Sequence, residues 1–244
     1  MNKNADVILI SGSTSGIGKA IATRFIDEGY IVLQNSRNSI PPEELIGQKH
    51  YVADVTSSNQ CMDLISQILK DFGRLNVLVA NVGGGKEVST EIQAPERLMH
   101  FLNLNLFSAT NLISASLNAL KETKGNVVAV SSICGHLPST SAPVEYSVAK
   151  ASLNSYIKSL AYKYSGDRIR FNAVAPGNVL FKGSTWEKKL FDDELLTIEY
   201  IEKNVPLNDF VSMQEVANAV HFLASPMSSN TTGTILTIDG GQSL

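Results

Sequence analysis

Only two cysteines occur in the 244 residues, Cys61 and Cys134, and they share no metal-ligand spacing. That excludes a disulfide framework and a Cys-rich zinc site, and reads as free thiols in a reducing cytoplasm. Histidine is equally sparse: His50, His100, His136 and His221 are scattered, so no metal centre is indicated. No apolar run approaches the roughly 20 residues of a membrane span. Residues 1–6 lack the apolar core of a signal peptide. Charge of one sign is also lacking: the net value is −3, which argues against nucleic acid or an anionic membrane as partner. Linkers, repeats and low-complexity stretches are missing, so residues 1–244 are expected to form one domain. With 43% apolar and 18% charged residues, the chain has ordinary globular composition and enough apolar surface for a large core.

What is present is alternation. Short β-branched runs at Val7–Ser11, 30–34, 50–53, Val77–Ala80, 126–131, 169–175 and 234–238 read as strands. Between them, helical periodicity covers 17–28, 57–72, 95–120, 144–164 and 214–224, with Pro95 suited to a first helical turn and Gly29 to a stop. Residues 183–204 are charged and loosely amphipathic. Apolar strands alternating with helices predict an α/β fold: a doubly wound, mostly parallel sheet of about seven strands with helices on both faces.

Two patterns carry chemistry. The turn Gly12-Ser13-Thr14-Ser15-Gly16-Ile17-Gly18 joins the first strand to the first helix. There glycines permit a tight turn and a close backbone approach, and a helix N-terminus presents free N–H groups to a pyrophosphate. Tyr146 and Lys150 stand at i and i+4 on a predicted helix, one face of which they share. An ammonium beside a phenol favours the phenolate and lowers a pKa that is normally about 10, which suits proton transfer to or from an alcohol or carbonyl.

The glycine spacing, with Tyr146, Lys150 and the upstream Ser132, resembles the single-domain short-chain dehydrogenase/reductase family of about 250 residues. The likeness extends over essentially the whole chain. Ala53-Asp54-Val55, Asn81-Val82-Gly83, Asn105-Leu106-Phe107-Ser108, Pro176-Gly177-Asn178-Val179 and Asp239-Gly240-Gly241 match family segments in order. The resemblance implies a Rossmann-type oxidoreductase transferring hydride between a nicotinamide nucleotide and a carbonyl or secondary alcohol. In that reading Tyr146 is the general acid or base, and Lys150 lowers its pKa and holds the nicotinamide ribose. Ser132 hydrogen-bonds the substrate oxygen, Ser131 being its competitor, and Asn105 orients a water that relays the proton. Cofactor contacts are implied at Gly12, Ser13, Ser15, Gly16, Ile17 and Gly18. Further contacts are implied at Asp54 and Val55 near the adenine, at Asn81 and Gly83, and at Pro176, Gly177 and Val179 near the nicotinamide. Where the family often has Thr, the chain has Phe181, with Ser184 and Thr185 as replacements for its pyrophosphate contact.

At the end of the second strand an NAD enzyme usually has a carboxylate. Here Ser36 and Arg37 occupy that place, a neutral hydroxyl and a fork suited to a 2′-phosphate, so NADP is expected, with NAD as the alternative. Segments 83–94, 136–143 and 181–210 should face the substrate. Both a 3-oxoacyl thioester and a sugar or polyol remain open, and Trp186 and Phe191 are candidate lining residues. His136 is a candidate contact and Cys134 a packed thiol. The run from Trp186 to Lys189 reads most simply as a solvated helix face. A homotetramer is implied by the family and supported by the wide apolar arc of Leu102, Leu106, Phe107 and Leu112. The rival reading is a nucleotide-binding regulatory protein without chemistry, which has no need for Ser, Tyr and Lys together.

Overall fold

The computed structural model describes residues 5–85, 95–137 and 142–244. The expected substrate-facing segments 83–94 and 136–143 therefore lie partly outside the described residues, as does the start of the chain. Seven parallel strands form one sheet in the order β3-β2-β1-β4-β5-β6-β7. They are β1 (Val7–Ser11), β2 (Ile31–Ser36), β3 (Lys49–Val52), β4 (Val77–Ala80), β5 (Asn126–Val130), β6 (Arg170–Pro176) and β7 (Ile235–Ile238). This is the doubly wound α/β architecture expected from the alternation.

Among the described residues there are eight α-helices: α1 (Gly16–Asp27), α2 (Ser58–Phe72), α3 (Pro95–Leu102), α4 (Ser108–Thr123), α5 (Val144–Lys163), α6 (Thr185–Asp192), α7 (Glu194–Asn204) and α8 (Met213–Ala224), of which α1 and α8 cover one face and α2, α4 and α5 the other. Strand residues alternate between two cores because successive side chains leave a strand on opposite faces. Ile8 and Ile10 of β1 pack with Ile21 and Phe25 of α1 and with Val216, Val220 and Leu223 of α8. Val7 and Leu9 face the other way, toward Ile65 of α2, Leu112 of α4 and Ile157 of α5. Each such fully buried side chain stabilises the fold by about 1.5–3 kcal/mol relative to exposure. That two-sided burial is why the strands read as unbroken apolar runs.

Two segments depart from the expectation. The helix predicted over 95–120 is continuous in direction but passes through a π turn at Asn103–Phe107 between α3 and α4. Residues 183–204 form two helices, because Asp193 both ends α6 and caps α7, its carboxylate accepting from the Leu196 N–H at 3.0 Å. The strand order reverses between β1 and β4, whose C-terminal ends open a crevice, the place where ligands enter such sheets.

Candidate active site

The turn after β1 is held rigidly. Ser11 accepts the Asn81 N–H at 3.0 Å, and the Asn81 amide donates back to the Ser11 and Gly12 carbonyls at 3.0 and 3.1 Å. Gly12 and Gly16 have φ of +62° and +52°, in the left-handed region that favours glycine. A Cβ at Gly18 would lie 2.2 Å from the Gly12 carbonyl oxygen, so only glycine lets α1 start this close to the strand. Ser15 precedes α1 without a side-chain cap bond, which leaves its hydroxyl and the first helical N–H groups facing the crevice. Ser13 behaves differently from expectation. It is fully buried, its hydroxyl donating to the Ile10 carbonyl at 2.8 Å and accepting the Asn35 N–H at 3.0 Å, and it does not line the cleft. Its part is to shape the turn.

A cleft of about 1000 Å³ begins at this turn and runs along the C-terminal ends of the strands. Gly12, Ser15, Gly16, Ile17, Gly18, Ser36, Arg37, Asp54, Val55, Asn81, Gly83, Pro176, Gly177 and Val179 all line it. Asp54 accepts the Thr56 N–H at 2.9 Å and the Thr56 hydroxyl at 2.7 Å. The backbone bond, mainly, holds its carboxyl below the usual range, with Arg37 adding to the effect. Ser36 donates to the Asn38 carbonyl at 2.7 Å and meets His50 Nε2 at 2.8 Å, a partner the sequence did not indicate. Phe181, which stands where the family often has Thr, lays its ring on the turn: a Cβ at Gly16 would meet it at 2.9 Å. Ser184 lines the cleft as well, accepting the Glu187 N–H at 3.0 Å as the cap of α6.

The acid–base residues converge at the middle of the cleft. Ser131 and Ser132 follow β5, and the structure separates their parts. Ser131 donates to Asn154 Oδ1 at 2.6 Å inside the protein, whereas Ser132 accepts the Cys134 N–H at 3.2 Å and stands near enough to Tyr146 to favour its ionised form. Lys150, one turn along α5 from Tyr146, is 3% exposed and donates to the Val130 carbonyl at 2.8 Å; its Nζ lies 5.8 Å from the Tyr146 ring centre. The electrostatics correct one expectation. The phenol is half-buried, and desolvation pushes Tyr146 up to about 12, against the lowering effect of nearby Ser132. Burial likewise lowers Lys150 to about 8. Loss of water around both groups, and not their proximity, sets the direction of each shift.

Asn105 sits in the π turn, fully buried. Its Oδ1 accepts the Gly84 N–H at 2.8 Å and its Nδ2 donates to the Gly84 and Phe101 carbonyls, both at 3.1 Å. Two of these three bonds tie the side-chain amide to the loop after β4, and Oδ1 keeps one acceptor position. π turns of this kind recur at functional sites because they displace one backbone step of a helix. A Cβ at Gly83 would lie 2.8 Å from Asn105 Oδ1 and 3.0 Å from Lys150 Nζ, so this loop is pressed between the two side chains.

Other candidates resolve as follows. His136 is exposed and lines a separate, smaller cavity beside α5. Cys134 is half-buried and lines the main cleft rather than packing in the core. Phe191 is 90% exposed and not a lining residue, whereas Trp186 is one. Lys189, Tyr200, Asn204 and Gln242 also line the cleft and were not singled out in the sequence. Among the described residues no group of three or more His, Cys, Asp or Glu could hold a metal, and no helix is long and apolar enough to cross a membrane.

The left-handed glycines, the uncapped N-terminus of α1 and the backbone approach at Gly18 fit a dinucleotide pyrophosphate. Fold and site together define a nicotinamide-dependent oxidoreductase acting on carbonyl or alcohol groups. The family model described as enoyl-(acyl carrier protein) reductase matches residues 12–243. The 3-oxoacyl-[acyl-carrier-protein] reductase FabG of Thermotoga maritima is 31% identical over 99% of both chains. Glucose 1-dehydrogenase 2 of Bacillus subtilis is 32% identical over 97% of this chain and 94% of its own. Among solved structures, the ligand-free aldohexose dehydrogenase of Thermoplasma acidophilum superposes with a TM-score of 0.86 at 29% identity, covering 99% of this chain and 95% of that one. The chain belongs to the short-chain dehydrogenase/reductase family.

Proposed function

We propose that this protein is an NADP(H)-dependent oxidoreductase of a carbonyl and its secondary alcohol, with Tyr146 as the proton donor or acceptor. One observation carries the reading. Tyr146 and Ser132 stand together on the wall of a cleft that also contains the glycine turn, with buried Lys150 one helical turn away. When bound, the nicotinamide nucleotide supplies or accepts the hydride. Gly12, Ser15, Gly16, Ile17 and Gly18 hold its pyrophosphate, and Asp54 and Val55 flank the adenine. Asn81, Gly83, Pro176, Gly177 and Val179 line the remainder, and Lys150 reaches the nicotinamide ribose. Arg37, beside Ser36, offers a permanently charged planar fork to a 2′-phosphate.

Ser132 fixes the substrate oxygen within reach of Tyr146 and stabilises the alkoxide character that grows on it. With its pKa pushed up to about 12, Tyr146 is a neutral phenol at neutral pH, able to give its proton in carbonyl reduction. Asn105 acts by holding the Gly83–Gly84 loop against Lys150. Either a 3-oxoacyl thioester or a sugar or polyol meets these requirements at the reacting carbon. The whole chain serves as a single catalytic domain in the cytoplasm. Val144 and Val148, 71% and 43% exposed on α5, suit burial against a second copy in a homotetramer.

Tyr146→Phe tests the assignment. Turnover of a responsive carbonyl, followed by nicotinamide absorbance, should fall by about 10²–10⁴-fold, the usual worth of a positioned acid. Cofactor affinity should stay within about twofold, since Phe keeps the ring that packs in the site. Turnover close to wild type would remove Tyr146 from the chemistry.

A further inference from the structure

The cleft changes character along its length. Its one lining carboxylate among the described residues is Asp54, after β3. Beyond β6, five strand positions away and roughly 24 Å at the usual inter-strand spacing, the lining side chains include Lys182, Trp186, Lys189, Tyr200 and Gln242, and none is acidic. Lys189 is the informative one. Its Nζ lies 4.1 Å from the Trp186 ring centre and 5.9 Å from that of Tyr200. Trp186 in turn packs on Tyr200 and Phe210, with ring centres 5.5 and 5.6 Å apart.

Neighbouring Lys188 pairs with Asp192 in the ordinary i,i+4 manner on the outer face of α6. Asp193 stands in the equivalent place for Lys189, but its carboxylate caps α7 instead. Among the described residues no carboxylate forms an ion pair with Lys189. Partial burial also lowers its pKa, which reflects a cation held away from bulk water. Aromatic faces attract such a cation but do not neutralise it.

Two amides at the same end of the cleft are incompletely used. One end of the Gln242 amide reaches the Tyr200 hydroxyl at 3.4 Å and the other has no partner. Asn178, 8% exposed, also has an amide end without a partner. Both unpartnered atoms are buried, but the two side chains line the cleft, where a turn of either amide brings it to a ligand. A hydroxyl, which both donates and accepts, satisfies either end of an amide.

We propose that this end of the cleft selects a hydroxylated carboxylic acid of the sugar-acid type, or its oxo form. Lys189 takes the carboxylate, the Trp186 and Tyr200 faces take the carbon skeleton, and Gln242 and Asn178 take hydroxyls. The proposal rests on the reading of the cleft as a carbonyl–alcohol oxidoreductase site. In the reducing sense the oxo carbon receives hydride from the reduced nicotinamide and the oxygen receives the Tyr146 proton. C=O becomes CH–OH, and the carboxylate stays ionised throughout. The acyl chain of a 3-oxoacyl thioester offers neither charge for Lys189 nor hydroxyls for the two amides.

Trp186 is the chain's single tryptophan, so its fluorescence reports this site independently of turnover. Tyr146→Phe protein saturated with NADP would be titrated with four- to six-carbon aldonates, each beside its uncharged alditol. Glucose 6-phosphate and a neutral 3-oxobutyryl N-acetylcysteamine thioester complete the panel. At least one aldonate should bind tenfold or more tightly than its alditol. Lys189→Met should abolish that difference, and Lys189→Arg should retain it. Equal binding of every acid and its alditol, tighter binding of the phosphate or the thioester, or a Lys189→Met protein that still discriminates would each overturn the proposal. Failure of the wider reading looks different: acids would bind at Trp186, yet the wild type would reduce no oxo acid and oxidise no hydroxy acid.

Discussion

Asn105→Ala separates two ways in which one asparagine can serve this site. The substitution removes three hydrogen bonds, from the Gly84 N–H at 2.8 Å and to the Gly84 and Phe101 carbonyls at 3.1 Å, around a side chain that is fully buried. At a net contribution of about 1 kcal/mol each, the fold should lose roughly 3 kcal/mol. For a chain of this size that corresponds to a fall in Tm of roughly 6–12 °C, at about 2–4 °C per kcal/mol. The functional loss should follow from displacement. Gly83 is pressed between Asn105 and Lys150, and a shift of about 1 Å near a reacting group can cost on the order of 10²-fold in rate. Calorimetry and steady-state kinetics on the same preparation measure both effects. A variant that keeps the wild-type Tm within 2 °C while losing about 10²-fold in kcat would refute the clamp. The amide would then have to act on a proton-carrying water, as the family resemblance first implied.

Phe181→Thr removes a ring that lies on Gly16 and supplies a hydroxyl near the phosphate position, so NADPH should bind about 10-fold more tightly, the worth of one hydrogen bond to a charged group. Weaker binding by fluorescence titration would mean that the ring belongs to the cofactor site. Ser36→Asp/Arg37→Ala should shift kcat/KM toward NADH, because a carboxylate repels a 2′-phosphate and accepts from ribose hydroxyls; an unchanged cofactor ratio would contradict the assigned 2′-phosphate position. Burial lowers Lys150 from 10.5 to about 8, so its ammonium is lost as pH rises through about 8, where a solvated lysine would keep it. Reductive kcat/KM should fall over that range, and a profile flat to pH 10 would show that the charged form is not required.

The fold was legible because a parallel sheet buried on both faces leaves an unmistakable trace: short β-branched runs with no polar alternation, separated by helical periods. The helix expected over 95–120 carried no mark of its π turn, since one extra residue in a helical turn barely alters the spacing of apolar positions. Only the coordinates show that Asn105 binds the carbonyl of Phe101, four residues back. Ser131 and Ser132 could be ranked by likeness to the family, but what divides them is physical: Asn154 reaches the first hydroxyl and Tyr146 stands near the second.

The Tyr–Lys spacing correctly brought two side chains together and gave the wrong sign for the phenol. Sequence reveals the neighbouring charge and hides the desolvation, which here is the larger effect on both groups. Lys189 failed to stand out for the converse reason. Periodicity places it among charged neighbours on a solvated helix, where its natural i,i+4 partner would be Asp193. That carboxylate is taken by the start of α7, and the ammonium lies near the rings of Trp186 and of Tyr200, from the next helix, at the wall of the cleft. Residues whose part depends on local spacing were therefore readable, while those whose part depends on a partner from another element, or on the absence of water, were not.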